Sequence, residues 1–321
     1  MYSNKHVGCV YYPIHKTQKT QNKTQDKMQN TQIFSQMKKY NANEIYIQKL
    51  LKKIPNSSSF FYTFQTCEPI NIGMMNQEDN MQQIDSDDSF VLLKYHRINY
   101  QTFTSFLDST NKSNKQLFDI YAYLLKSIQM LIQNNIVHFN ICEKSIILNE
   151  NNLPLLTMSE KSWYINDDFN MKTRQYPPNF VIPFELFVIQ YILENKLTSI
   201  SISNIYDICR HYKDKYPSLN LLVDIENGVL FLKIFINKPS STIITELFLF
   251  AKTWDNYSLS IVFLRVLQSQ QPNTKSKFIV DWINQLQTNI DIDPRKRHSV
   301  ETTYLNMSES RYHATAEDFR N

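Results

Sequence analysis

Only three glycines occur in the 321 residues, Gly8, Gly73 and Gly228. Backbone that wraps closely around phosphate groups usually needs residues without a Cβ, so this chain has little from which to build a glycine-rich phosphate cradle. Cysteine is sparse as well. Cys9, Cys67, Cys142 and Cys209 lie far apart, with no CxxC pair and no histidine cluster at metal-ligand spacing. That pattern argues against a zinc module or a disulfide framework and for buried or free thiols in a reducing compartment. Long apolar runs are missing too: the longest, such as 229–236, are far shorter than a bilayer span and contain Lys233, so no membrane partner is expected. The opening residues lack the apolar stretch of a signal peptide, which makes a soluble, intracellular protein the expectation. Charge of one sign is not concentrated anywhere. The 34 basic and 30 acidic residues give a net charge of +4 spread along the chain, without the basic stripe typical of nucleic-acid binding, so no nucleic-acid partner is expected.

What is present is a core-forming composition. Hydrophobic residues make up 42 % of the chain and aromatics 13 %, enough to fold one large domain or two lobes. Residues 16–32 form a polar tract in which Lys-Thr-Gln recurs three times, and this reads as a flexible, low-complexity loop. Ile45, Ile47, Leu50, Leu51 and Ile54 recur at helical spacing and Pro55-Asn56-Ser57 stops them, predicting a helix over 43–54. Strands are expected at 60–64 and 90–95, flanking an acidic, Asn/Gln-rich loop at 76–88. A broad apolar face carrying Leu117, Ile120, Tyr121, Leu124, Leu125, Ile128 and Leu131 predicts a core helix over 116–135. Two apolar runs around Asn149-Glu150-Asn151-Asn152 read as a hairpin. From 184 onward the chain reads as mostly helical, with apolar patterns around 184–193, 202–212, 221–236, 242–250, 257–267 and 278–286.

The order of these elements, strand-rich and then helix-rich, carries motifs that resemble a protein kinase, and in particular the divergent kinase-like proteins of large DNA viruses. Trp254-Asp255-Asn256-Tyr257-Ser258-Leu259 looks like the D-x-W-S-x-G start of the kinase central helix, and Asp293-Pro294-Arg295-Lys296-Arg297 like its D-P-x-x-R motif. Pro183-Phe184-Glu185 is similar to the A-P-E end of the activation segment. The resemblance implies three structural roles. Glu185 and Arg297 form a buried ion pair, Asp255 holds the backbone of the catalytic loop by accepting amide hydrogen bonds, and His138 is a structural histidine.

At the catalytic positions the residues differ from the family. His138-Phe139-Asn140-Ile141-Cys142-Glu143-Lys144-Ser145 aligns on H-R-D-L-K-x-x-N. The base position is therefore Asn140, which cannot ionise to accept a proton. Cys142 replaces the loop lysine and Ser145 the metal-binding asparagine. Met158 falls where the first residue of D-F-G belongs, or Thr157 if the register shifts by one. Neither supplies a carboxylate for magnesium, although Glu160 is close enough for displaced metal binding. In the small lobe, residues 5–13 resemble the viral glycine-rich loop, retaining Gly8 and Val10. Glu44 opens the helix at the position of the family's pairing glutamate, and Gln32 is the counterpart of the strand lysine.

Together these imply an α+β, bilobal protein-kinase-like fold. A small β-rich N-lobe with one main helix spans 1–95, including the low-complexity loop at 14–31. A larger helical C-lobe spans 96–306, carrying a helical insertion at 186–252, and a polar tail follows at 307–321. The expected function is that of a pseudokinase, a scaffold or allosteric binding module with a protein partner. No cofactor is required, and ATP/Mg binding is weak or absent. As a viral relative it would reside in the host cytoplasm. Two other readings stay open: an atypical serine/threonine kinase using relocated groups such as Glu160 or Lys144, and a purely structural protein with no nucleotide site.

Overall fold

The structure, a computed structural model, describes residues 33–39, 42–70, 90–96, 98–109, 113–159, 161–165, 181–219, 224–270, 276–315 and 318. Its longest helix, α3 (Asn114–Gln133), follows from the apolar face seen in the sequence: Leu117, Ile120, Tyr121, Leu124, Leu125, Ile128 and Leu131 are all buried. Ser113 and Gln116 form a capping box at its start, satisfying amides that the first turn leaves without partners. At its end Asn135 takes φ 55 and turns the chain into the short strand β6 (Ile136–Val137).

Strands gather in a small sheet region ahead of α3. β1 (Ile33–Lys39) and β3 (Thr66–Ile70) both pair antiparallel with β4 (Phe90–His96), which lies between them. In β4 the alternating residues Val91, Leu93 and Tyr95 are buried, the period-two signature of a strand with one face on a core. β3, over a stretch for which the sequence predicts no element, contains Pro69. The proline is tolerated because β3 pairs only with β4 among the described strands, and an edge strand does not need every amide.

A second sheet has the order β2 (Phe61–Tyr62), β8 (Pro154–Thr157), β7 (Ile146–Asn149), β5 (Tyr100–Thr102). The β7–β8 hairpin closes through Asn149, whose Oδ1 accepts from Asn151 N and Leu153 N, and through Asn152 at φ 58. β6 pairs with β9 (Trp163–Tyr164).

Helix α1 (Ala42–Lys52) touches two separate cores. Its Ile45 packs with Phe64, Val91, Leu93 and Tyr95 in a small cluster, while Ile47 and Leu51 belong to the large one built around α3. The remainder is helical: α2 (Phe103–Asp108), α4 (Phe184–Glu194), α5 (Ile202–Lys215), α6 (Ile225–Leu232), α7 (Ser240–Phe248), α8 (Trp254–Gln270), α9 (Lys277–Asn289) and α10 (Val300–His313). The molecule is thus mixed α+β, with a small sheet region and a larger helical part. No helix among the described residues is long and apolar enough to cross a membrane.

Helix α10 continues into the stretch read as a polar tail, 307–321, because Val300, Thr303 and Met307 recur at helical spacing and are all buried. Beyond it, Asp318 accepts from Ser276 Oγ at 2.9 Å, tying the end of the chain to the start of α9. Met307→Ala should lower stability by about 2–5 kcal/mol, whereas Leu305→Ala, at a side chain 66 % exposed, should change it by less than about 0.5 kcal/mol. Urea denaturation of the two variants checks this, and equal effects would mean that 307 is not a core position.

Candidate functional site

The loop 138–145, between β6 and β7, carries most of the residues singled out in the sequence. Its backbone is held from below by Asp255, in the first turn of α8. Asp255 Oδ2 accepts from His138 N at 2.7 Å and Oδ1 accepts from Phe139 N at 3.0 Å. Both oxygens of one carboxylate thereby bind consecutive amides, and the grip holds Phe139 at φ 63, a region that bulky side chains rarely occupy. Asp255 is buried. Burial pushes its carboxyl up to about 6, against the two amides that favour the charged form.

His138 is fully buried. Its Nε2 meets Thr157 O at 2.9 Å and its Nδ1 accepts from Asn140 N at 3.3 Å. This arrangement requires the neutral ring with the proton on Nε2, and burial pushes its pKa down to about 4. The imidazole is a brace between the loop and the end of β8.

Among the positions aligned with catalytic groups, Ser145 and Met158 are engaged in internal structure. Ser145 is buried, and its hydroxyl donates to Cys142 O at 2.9 Å while accepting from Cys142 N at 3.0 Å. That pair closes a 3-10 turn over Glu143–Ser145. Met158 is 7 % exposed and belongs to the large core. Half-buried Thr157, the alternative at that position, donates its hydroxyl to Ser145 O at 3.2 Å. Asn140 is half-buried, and its side-chain amide has no hydrogen-bond partner among the described residues. Half-buried Cys142 is a free thiol. Lys144 is exposed.

Glu44 is buried in the first turn of α1, where Gln48 Nε2 donates to it at 3.2 Å. Gln48 Oε1 in turn accepts from Phe64 N at 3.0 Å. Gly8, Val10, Gln32 and Glu160 lie outside the described residues, as does the low-complexity loop. Sequence reading overlooked a link between α1 and the loop. The Asn43 side chain donates to Ser162 O, and Ser162 Oγ donates to His138 O at 3.2 Å. Asn43 had no local signal, since its partner lies 119 residues away.

Glu185 and Arg297 meet through two parallel hydrogen bonds, Nη1 to Oε1 at 2.6 Å and Nη2 to Oε2 at 2.8 Å, with side chains 0 % and 1 % exposed. Trp254 Nε1 donates to the same Glu185 Oε1 at 2.7 Å. Arg297 Nε donates to Asp291 O at 2.7 Å, and its guanidinium lies 4.7 Å from the Tyr257 ring. Arg297 Nη1 also donates to Thr253 Oγ1 at 3.3 Å. Among the described residues no group of three or more His, Cys, Asp or Glu could hold a metal ion. No model of a known protein family matches the chain, and no curated protein matches it either.

Breaking the ion pair leaves a buried charge alone, so Arg297→Ala should cost about 3–5 kcal/mol. Arg297→Lys should recover only part of that, since an ammonium cannot reproduce the two-bond geometry. Asn140→Ala should be close to neutral; thermal melts of the three variants separate the cases.

The two depressed and raised groups have opposite pH signatures. The His138 pKa is lowered on folding, so its contribution is present above about 6.5 and is lost as pH falls through about 4. Asp255 is raised, so its contribution is present below about 3.8 and is lost as pH rises through about 6. His138→Gln keeps a donor for Thr157 but removes the titration. The stability gap between wild type and this variant, measured by denaturant at pH 7 and pH 4.5, should therefore narrow at the lower pH. A gap that stayed constant would show that the ring is not held neutral.

Proposed function

We propose that this chain is a protein-kinase-like binding module without phosphoryl-transfer chemistry. The observation that carries the reading is the loop 138–145. Its backbone is clasped by Asp255, in the way the resemblance implies for a catalytic loop, while the hydroxyl of Ser145 and the side chain of Met158 are turned to internal structure. A scaffold that keeps its clasp and its buried Glu185–Arg297 pair retains the means to present a surface. An amide at Asn140 gives it no general base, a group that contributes about 10²–10⁴-fold in rate.

In this reading β1–β4 and α1 form an N-lobe over 1–95, the rest of the chain to 306 forms a C-lobe over 96–306, and α5–α7 lie in the insertion at 186–252, which begins within α4. The ligand is a protein partner, ATP and magnesium being bound weakly or not at all, and the setting is the cytoplasm. Lys144 favours one competitor, because it is exposed within the loop, where it could reach a phosphate. An atypical kinase built on Lys144 and Glu160 is the second reading.

The discriminating measurement is thermal stability of the full chain titrated with ATP or ADP, with and without magnesium. A ligand at 100 times its Kd stabilises by about 2.7 kcal/mol. The expected outcome is no magnesium-dependent shift, together with no radiolabelled phosphate transfer above background. Transfer that disappears in Glu160→Gln would instead establish the second reading. Asn140→Asp combined with Met158→Asp should remain inactive and should also be less stable, because the second change places a carboxylate in the core, where an unpaired charge is strongly disfavoured.

A further inference from the structure

Phe139 occupies the left-handed region at φ 63, and a bulky residue persists there only when its surroundings over-determine it. Two supports are visible. One is the Asp255 carboxylate on the Phe139 amide. The other is an aromatic box around the ring: Phe139 meets Trp254 at 5.0 Å and Trp163 at 6.5 Å, edge-on in both contacts. Behind the two tryptophans stands Phe248, the last residue of α7, at 5.8 Å from both. Phe139, Trp163 and Trp254 are buried, while Phe248 is half-buried.

Helix α7 is anchored at its other end within the same helical stretch. Ser240 N donates to Thr198 O at 2.8 Å and Ser240 Oγ to Leu197 O at 2.6 Å. Lys238 Nζ bridges both oxygens of Glu246 at 2.9 and 3.1 Å. After Phe248 the chain passes Leu249, which is 76 % exposed, makes a 3-10 turn over Ala251–Thr253, and enters α8 at Trp254 and Asp255. A displacement of α7 therefore reaches Phe139 by two routes, through the Phe248 ring by way of Trp163 and Trp254, and through the start of the helix that carries Trp254 and Asp255.

We propose that α7 is a regulatory arm: a partner that shifts the α4–α7 helices withdraws Phe248 from the aromatic box, releases Phe139 from its left-handed conformation and frees the amides of 138–142. The inference rests on these contacts and on no particular chemistry for the loop, so it stands or falls separately from the function proposed above.

Hydrogen exchange on the full chain tests it. In Phe248→Ala the amides of 138–142 should exchange about tenfold faster or more, as expected of a local opening, while those of 117–131 in α3 keep their wild-type protection. Phe248→Leu, which retains apolar volume without the ring, should show a smaller acceleration confined to the same loop, and it decides the matter if the alanine variant does not fold. Unchanged exchange at 138–142, or an equal acceleration in the loop and in α3, would overturn the proposal.

Discussion

The helical part of this molecule is organised around one desolvated contact, the two-bond pairing of Glu185 with Arg297. Glu185 opens α4, Arg297 follows the 3-10 turn at Pro294–Lys296, and Trp254 at the start of α8 donates to the same carboxylate. Three segments remote in sequence thus converge on one pair of oxygens. Taking two charges out of water is costly, and such a pair stabilises only when its remaining hydrogen-bonding capacity is met. Here it is met by the Trp254 indole, the Asp291 carbonyl and the Thr253 hydroxyl, while the Tyr257 ring faces the guanidinium. The contact therefore specifies which segments meet more than it adds to net stability.

A second buried polar cluster also involves α8. Asn289 on α9 donates to Ser260 Oγ on α8 at 3.1 Å, Thr303 on α10 donates to Asn289 Oδ1 at 3.0 Å, and Asn256 on α8 donates to Thr303 Oγ1 at 3.1 Å. Tyr121 of α3 lies within reach of the same amide at 3.4 Å. Each donor and acceptor has a set partner, so a helix that slid by a residue would strand several of them in the core. Apolar packing draws α3, α8, α9 and α10 together; these bonds choose their register.

Both networks bear on the loop 138–145 through α8. The helix start that serves the ion pair with Trp254 also serves the loop with Asp255, one residue later. This closeness explains how a loop with a bulky residue at positive φ stays in place, and how α7 reaches it through the two tryptophans that its last residue, Phe248, packs against. The loop's functional potential lies in its conformation more than in its reactive groups, for the hydroxyl of Ser145 and the ring of His138 are both engaged in holding it.

Periodicity alone determined much of the architecture. The face of α3, the extent of α1 and the β7–β8 hairpin are written locally, because alternation at 2 or 3.6 residues records which side of an element leaves water. The motifs around Asp255, Glu185 and Arg297 also singled out residues that do meet. Only tertiary structure decided the rest. Pro69 stands in a strand because β3 lies at an edge, Met307 anchors a helix where the composition reads as a tail, and Met158 is core. Phe139 turns left-handed because Asp255, more than a hundred residues away, accepts its amide. Local sequence states that a side chain will be buried; which partner buries it, and at what backbone angle, depends on segments that the chain brings together only on folding.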